Sequence, residues 1–346
     1  MRELLTPEVP IVIDPGSYRW RVGFANLEKP KSSYITETFM LDGTSVEEQG
    51  LIVDFQCNEF TLAYYERYFN HGLRILHCDP KSVSLCVALP LSLSPKYRNQ
   101  LAEILFERVG VKSIFFASQP LVSAFSSGKP TCLIVDSGHS YTSLYGVNDL
   151  YPERSTELIY SIGGRDVDQY LKSLAGPQLR DSTAGDINYI KSRFCNISPT
   201  PLSETALGDK SNKRKPCQML DGQELHLGIE RQLAPEIIFN PQLNGFKEKP
   251  SLETAIFQSV RNLTEEKSNE ILKNVVLSGG NLKFKGLRER LQKGLPNCRI
   301  CYHPEGELAV WRGAAIFASM STFEQMVVSK QRWAEHGEFI IQRKWL

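Results

Sequence analysis

The stretch IVIDPGSYRWRVGF, Ile11 to Phe24, constrains this chain more than any other. Three β-branched apolar residues run into Asp14, Pro15-Gly16-Ser17 follow, and polar and apolar residues then alternate to Gly23-Phe24. β-Branched residues suit a pleated sheet and a Pro-Gly-Ser cluster marks a turn, so the pattern predicts a β-hairpin. Its turn carries a carboxylate, a glycine and a hydroxyl. Glycine permits close backbone approach, successive N–H groups form an anion nest, and a carboxylate can hold a hydrated Mg²⁺. Such a turn suits a phosphate tail, with Arg21 one strand step on to face the same phosphates. Turns of this composition also occur in ordinary sheets.

A second copy raises the significance of the first. Leu133-Ile134-Val135-Asp136-Ser137-Gly138 repeats the order of apolar run, Asp, small residue and Gly, and again leads into alternating residues, Tyr141, Ser143 and Tyr145. Repetition of this kind is the mark of a duplicated nucleotide-binding fold in which two Asp-turn hairpins clamp a phosphate tail.

Size and composition narrow the class. A chain of 346 residues can bury large cores and suggests about two domains. Hydrophobic residues make up 41% and charged residues 23%, as in an ordinary soluble protein. The net charge of +1 gives no global field for nucleic acid or a membrane surface. No apolar run approaches the roughly 18–20 residues of a membrane span, and MRELLTPEVP lacks the apolar core of a signal peptide. An intracellular protein is expected. The eight cysteines are scattered through predicted strands and helices and read as buried thiols of a reducing compartment. Cys298-Arg-Ile-Cys301 has no second pair, so zinc or redox chemistry is the weaker reading.

Along the chain, strands and helices alternate, which argues α/β. Leu27 to Gln49 is short, polar and weakly patterned. Asn58 caps a helix with Leu62, Tyr65 and Phe69 on one face, and the aromatics Tyr64, Tyr65, Tyr68 and Phe69 read as core packing. Ser82 to Leu89 reads as a buried strand. Ser94-Pro95 starts a helix striped by Leu101, Ile104, Leu105 and Val109 and ended by Gly110. A strand, Ile114–Ala117, and a short helix carrying Gln119 precede the second Asp hairpin. Gly163-Gly164 opens a helix with Val167, Tyr170, Leu171 and Leu174 on one side, where glycines either admit phosphate or end a strand. Cys195 to Cys217 reads as a polar surface loop; its Lys213-Arg214-Lys215 is a slight nuclear signal or a solvated turn. Asn274 to Gly280 is a strand ending in Gly-Gly, a third point for ligand approach, and Leu287, Leu291 and Leu295 follow on a helix. Small residues around Trp311 predict a helix in a crowded interface.

Three glycine loops in this order resemble those of the actin and actin-related family. VDSGHSYTSLYGV is similar to that family's V-L-D-S-G-D-G-V-T-H, IGGRDVDQYLKSL to its A-G-R-D-x-T-x-Y-L helix, and VVLSGGNLKFKGLRERL to T-V-L-S-G-G-x-x-x-x-x-G-x-x-x-R. The run AVWRGAAIFASMSTFEQMVVSKQRWAEHGEFIIQRKW is the closest match of all. The resemblance runs from about Ile11 to the end, interrupted between Leu27 and Gln49. It implies an α/β, actin-like duplicated ATPase fold of the ribonuclease-H-like kind, with two domains around a central nucleotide cleft. The boundaries expected are residues 1–129 for the first domain, with the small second lobe at 27–49 truncated, and 130–320 for the second. Residues 321–346 would pack back on the first.

The resemblance implies ATP or ADP with Mg as cofactor and places the site residue by residue. Gly16, Ser17, Tyr18 and Arg21 would meet the phosphates, Arg21 standing where the family usually has lysine. Asp14 would face the metal through water. Asp136, Ser137 and Gly138 form the second phosphate loop. Gly164, Gly279 and Gly280 would line ribose and adenine, with Phe284 as aromatic neighbour and Lys191 at the adenine border. Gln119 falls on the glutamine that orients the attacking water. The departures are His139 for the second loop's second carboxylate, Ser143 for the water-polarising histidine, Ser192 for a ribose-binding glutamate and Glu307 for a lysine near the base. Losing water- and metal-orienting groups should hurt hydrolysis more than binding. Without the small lobe, whose mobile loop grips the next subunit in conventional actins, self-polymerisation is expected to be poor.

The expected function is therefore a structural or scaffolding subunit of a cytoskeletal complex, a pseudo-ATPase in the cytoplasm. Its partners would be actin or other actin-related proteins, with no direct nucleic acid and no membrane. The alternatives are an actin-related subunit of a nuclear chromatin-remodelling complex, or an active ATP-driven enzyme such as a sugar kinase or chaperone-type ATPase on the same fold.

Overall fold

A computed structural model of the chain describes residues 9–36, 59–202, 214–219, 221–246, 248–303 and 305–345. It divides into two units, one of Met1–Pro130, Val147–Pro152 and Leu308–Leu346, the other of Thr131–Gly146 and Glu153–Glu307.

The apolar run at the start of the first unit becomes a strand covered on both faces. Ile11, Val12 and Ile13 of β1 (Ile11–Pro15) are wholly buried. The hairpin forms as expected: β1 pairs antiparallel with β2 (Arg19–Phe24), which puts Asp14 directly opposite Arg21. The polar stretch after it was expected to be weakly patterned, yet it supplies β3 (Ser32–Ile35), antiparallel to β2. An edge strand needs only one inward residue here, and Tyr34 is that residue. Residues 37–49 of that stretch lie outside the described residues, as does Asn58. The helix Glu59–Ile75 packs Tyr65, Tyr68 and Phe69 around the buried Trp20, so these aromatics serve the core.

β4 (Ser84–Leu89) runs parallel to β1, and β5 (Ser113–Ser118) parallel to β4. Between them the Ser94 hydroxyl accepts the Tyr97 N–H at 3.4 Å, Pro95 begins the helix, and Gly110 ends it with φ of 83°. Such a left-handed φ favours glycine. Gln119 is the first residue of the next helix, Gln119–Ser127.

The second unit repeats this plan. β6 (Cys132–Ser137), β7 (Thr142–Asn148) and β8 (Tyr151–Tyr160) follow in sequence. Helices Gly164–Ala175 and Ala184–Phe194 come next, then a two-stranded ribbon of β9 (Lys215–Gln218) and β10 (Glu224–Leu227). β9 thus begins inside the stretch expected as loop; Lys213 lies outside the described residues. After the helix Leu252–Val260, β11 (Asn274–Ser278) and β12 (Arg299–Cys301) complete the sheet. Its order is β12-β11-β6-β7-β8, against β5-β4-β1-β2-β3 in the first unit. In each, the strand before the Asp turn is central. Its hairpin partner and a third strand lie to one side, and two later parallel strands lie to the other. This is the duplicated α/β fold.

The chain rejoins the first unit at Leu308, earlier than the expected boundary at 321. The reason is the helix Ala309–Ala318. Trp311 is fully buried and its Nε1 donates to the Val12 carbonyl at 3.2 Å. A Cβ on Gly313 would stand 1.6 Å from the Val122 carbonyl oxygen. β13 (Val328–Ser329) then adds antiparallel to β5 at the sheet edge. The seven described cysteines, Cys298 and Cys301 among them, carry free thiols. Among the described residues, no helix is long and apolar enough to cross a membrane.

Candidate functional site

In an open α/β sheet, ligands gather at the carboxyl ends of parallel strands. β1, β4 and β5 are parallel, so the Asp14 turn after β1 and Gln119 after β5 share one edge of the first sheet. The turn is tight: the Gly16 N–H donates to the Asp14 carbonyl at 3.1 Å, and a Cβ on Gly16 would lie 2.6 Å from the Arg19 carbonyl oxygen. Only glycine fits there. Ser17 and Tyr18 are half-buried, and the Ser17 carbonyl accepts the Thr36 hydroxyl at 3.0 Å. Arg21 was expected to face phosphates. Its Nη1 donates to Asp14 Oδ2 at 3.0 Å, with the two side chains 15% and 5% exposed. Directly opposed cross-strand residues meet in this way. Burial pushes the Asp14 carboxyl up from its ordinary range and the Arg21 guanidinium pulls it back.

In the second unit Asp136, one residue before the end of β6, is in register with Ser278 at the end of β11. The loop between β6 and β7 is held from several sides. Ser137 Oγ and Thr142 Oγ1 lie 2.7 Å apart, and the Gly138 N–H donates to the Tyr141 carbonyl at 3.0 Å. Asn281 Nδ2 donates to the Gly138 carbonyl at 2.6 Å and to Ser137 Oγ at 3.2 Å. The Gly164 and Arg165 N–H groups, at the start of the helix Gly164–Ala175, donate to the Gly138 and His139 carbonyls at 3.0 and 2.7 Å. The Gly163 N–H is capped by Asp166 Oδ2 at 2.8 Å. The helix opening therefore serves the loop's own carbonyls. A Cβ on Gly163 would meet the His139 carbonyl oxygen at 2.4 Å, and one on Gly279, whose φ is +92°, the Ser137 carbonyl oxygen at 2.3 Å. These glycines admit neighbouring backbone, whereas a Cβ on Gly280 would meet nothing within 4 Å.

Lys191 reaches in from the helix Ala184–Phe194 and is buried. Its Nζ lies 2.9 Å from Asp168 Oδ1 and donates to Asp168 Oδ2 at 3.1 Å and to the Gly164 carbonyl at 3.2 Å. Lys191 Nζ and Asn281 Oδ1 each stand 2.9 Å from where a Gly164 Cβ would be, so they occupy the space before that glycine. Ser192 is exposed and its hydroxyl turns back to the Tyr189 carbonyl at 3.1 Å. Phe284 is packed into the core of the second unit, and Glu307 pairs with Lys283 at 2.9 Å.

His139 is strongly perturbed. Burial first, then the Lys191 and Arg165 charges, push its imidazole down to about 3, so it is neutral near pH 7. Its Nδ1 sits 4.0 Å from Asp168 Oδ2, too far for a hydrogen bond. Asp168 itself is pushed up by burial and pulled down by Lys191. Asp168 and Asn281 were absent from the sequence reading. Their partners lie 23 residues and more than 140 residues away along the chain, and no local pattern marks them.

The two implied groups fare differently. In the first unit the Asp14 turn and the Arg21 guanidinium suit phosphate oxygens, and in the second unit the Asp136 turn and the open side of Gly280 do so. Mg²⁺ seeks oxygen donors in octahedral array. Asp14 is engaged by Arg21, and the second loop offers a neutral imidazole where a carboxylate was expected. Among the described residues, no cluster of three or more His, Cys, Asp or Glu could hold a metal. The donor set does not fit the cation.

The sequence profile of the Actin family matches residues 6–181 and 182–346. Proteins named Actin-related protein 4 from rice, Oryza sativa subspecies indica and japonica, are each 28% identical over 334 residues. The alignments cover 81% of this chain and 75% of each rice protein.

Proposed function

The chain belongs to the actin family, and on that premise we propose that it is a non-hydrolysing structural subunit of a multi-subunit complex, with nucleotide held as a clamp. The observation that carries this is half-buried His139 at the second phosphate loop, an imidazole where a carboxylate was expected, with Nδ1 4.0 Å from Asp168 Oδ2. Attack by water on a γ-phosphate needs an oriented water and charge compensation together. An uncharged imidazole cannot act as the carboxylate that would hold metal-bound water. Ser143, where a polarising histidine was expected, is buried and cannot take a proton. Gln119 remains to orient water, but without those partners.

The chain's own groups would bind and position. Arg21 would meet phosphate oxygens beside Gly16, Ser17 and Tyr18, Asp136, Ser137 and Gly138 would frame the tail, and Gly279, Gly280 and Lys191 would border the nucleoside. Similarity to proteins named Actin-related protein 4 favours the nuclear alternative, a chromatin-remodelling subunit, over a filament component. Its partners would then be other actin-like and complex subunits.

Two measurements test this. ATP should raise the melting temperature of the purified protein while releasing no phosphate above background. Tagged protein in its own cells should concentrate in the nucleus and elute with a large assembly. Sustained turnover, or incorporation into cytoplasmic filaments, would refute the proposal.

A further inference from the structure

We propose that this chain takes its nucleotide without a divalent cation, and that Arg21 supplies the positive charge a metal would bring. The inference rests on the nucleotide-binding reading above and concerns how that same site balances charge.

The first ground is geometric. Asp14 and Arg21 are opposed in the β1–β2 ladder and bonded at 3.0 Å, with both side chains largely out of water. A hydrated divalent ion drawn to Asp14 would arrive against a guanidinium already in contact with that carboxylate. Displacing Arg21 would leave a buried cation without its partner. The guanidinium has five N–H donors in a planar fork, and Nη1 alone is bonded to Asp14 Oδ2. It can keep that bond and turn other N–H groups to a phosphate, which a lysine ammonium does less well as a compact point charge. Arginine at this position therefore bridges carboxylate and phosphate in one side chain.

The second ground is charge at the other loop. His139 is an imidazole and adds no negative charge; its Nδ1 lies 4.0 Å from Asp168 Oδ2, and Asp168 is the carboxylate that Lys191 holds at 2.9 Å. Compared with the carboxylate expected there, the loop has lost one anionic oxygen donor and keeps Asp136, while Lys191 is paired with Asp168. Each exchange, arginine for lysine in the first unit and histidine for carboxylate in the second, makes its own loop better suited to phosphate and worse suited to Mg²⁺.

Isothermal titration of ATP into nucleotide-stripped protein, in Mg²⁺ and in EDTA, tests this. Wild type should bind with affinities within about threefold of each other in the two buffers. Arg21→Lys, which keeps the charge on Asp14, should bind at least about tenfold more weakly in EDTA than in Mg²⁺. The paired change Arg21→Gln with Asp14→Asn leaves no buried charge stranded and should fold, as checked by circular dichroism, but lose binding in EDTA. Wild-type binding only in Mg²⁺ would overturn the inference and leave nucleotide binding intact. Equal binding of Arg21→Lys in both buffers would overturn the role of Arg21. Absence of binding in either buffer would overturn the inference together with the reading beneath it.

Discussion

Replacing His139 with glutamine should flatten the acid side of the second unit's stability. An imidazole in an unfolded chain titrates near ~6.5, whereas His139 in the fold is pushed down to about 3 by burial, Lys191 and Arg165. Between those values the unfolded chain binds a proton that the folded one refuses. Stability is thus fully present above the unfolded value and is lost as pH falls through the window, by at most about 1.4 kcal/mol per pH unit. Going from pH 7 to pH 5 amounts to about 2 kcal/mol for full burial. The side chain is 22% exposed, and solvent screening reduces the expected loss to about 1–2 kcal/mol. Glutamine keeps a neutral polar group and removes the titration. The assay is urea unfolding of both proteins at the two pH values. It should be followed by circular dichroism, because all four tryptophans lie in the first unit and report only on it. Wild type should lose about 1–2 kcal/mol more than His139→Gln on acidification. Equal losses would mean that His139 is already protonated in the fold, and the case for a neutral second loop would fall.

Three further outcomes follow from packing and charge. Arg290→Met should cost about 3–5 kcal/mol, since it strands Glu236, which is 0% exposed and held by Arg290 Nη2 at 3.1 Å. Adding Glu236→Leu should recover most of that loss in the same urea titration, and failure to recover would show that the pair is not what matters. Gly313→Ala should lower the melting temperature of the first unit by tryptophan fluorescence, with a cost of about 3 kcal/mol or more, because its Cβ would sit 1.6 Å from the Val122 carbonyl oxygen; an unchanged melting temperature would refute this packing. His139→Asp, by returning a carboxylate to the second loop, should raise phosphate release from ATP with Mg²⁺ by about tenfold, and no change would mean that Ser143 and the Asp14–Arg21 pair dominate.

What the sequence made legible was local chemistry. The Ile11–Phe24 hairpin, the Ser94 cap and the Gly110 stop are each decided within a few residues by turn and cap preferences. The second Asp turn was legible because it repeats the first. What stayed hidden was set by partners far away in the chain. Arg21 was placed near the right turn, but its bond to Asp14 depends on a cross-strand register that apolar alternation does not specify. Asp168 sits on a helix with no feature to separate it from a solvated charge until Lys191 meets it. Asn281 looks like an ordinary turn residue after Gly-Gly, and only the folded loop shows its amide on the Gly138 carbonyl. Gly163 and Gly279 were legible as points of close approach, but not what approaches them.

The loop Ser137–Tyr141 is bolted at three places: to the helix start at Gly164 and Arg165, to Asn281, and through backbone contact at Gly163 and Gly279. A part fixed in that manner cannot yield alone. Any push on it is passed at once to the head of the helix Gly164–Ala175 and to the Ser278–Asn281 turn, as a rigid crank passes torque to two shafts. The loop is therefore stiff coupling rather than soft clasp.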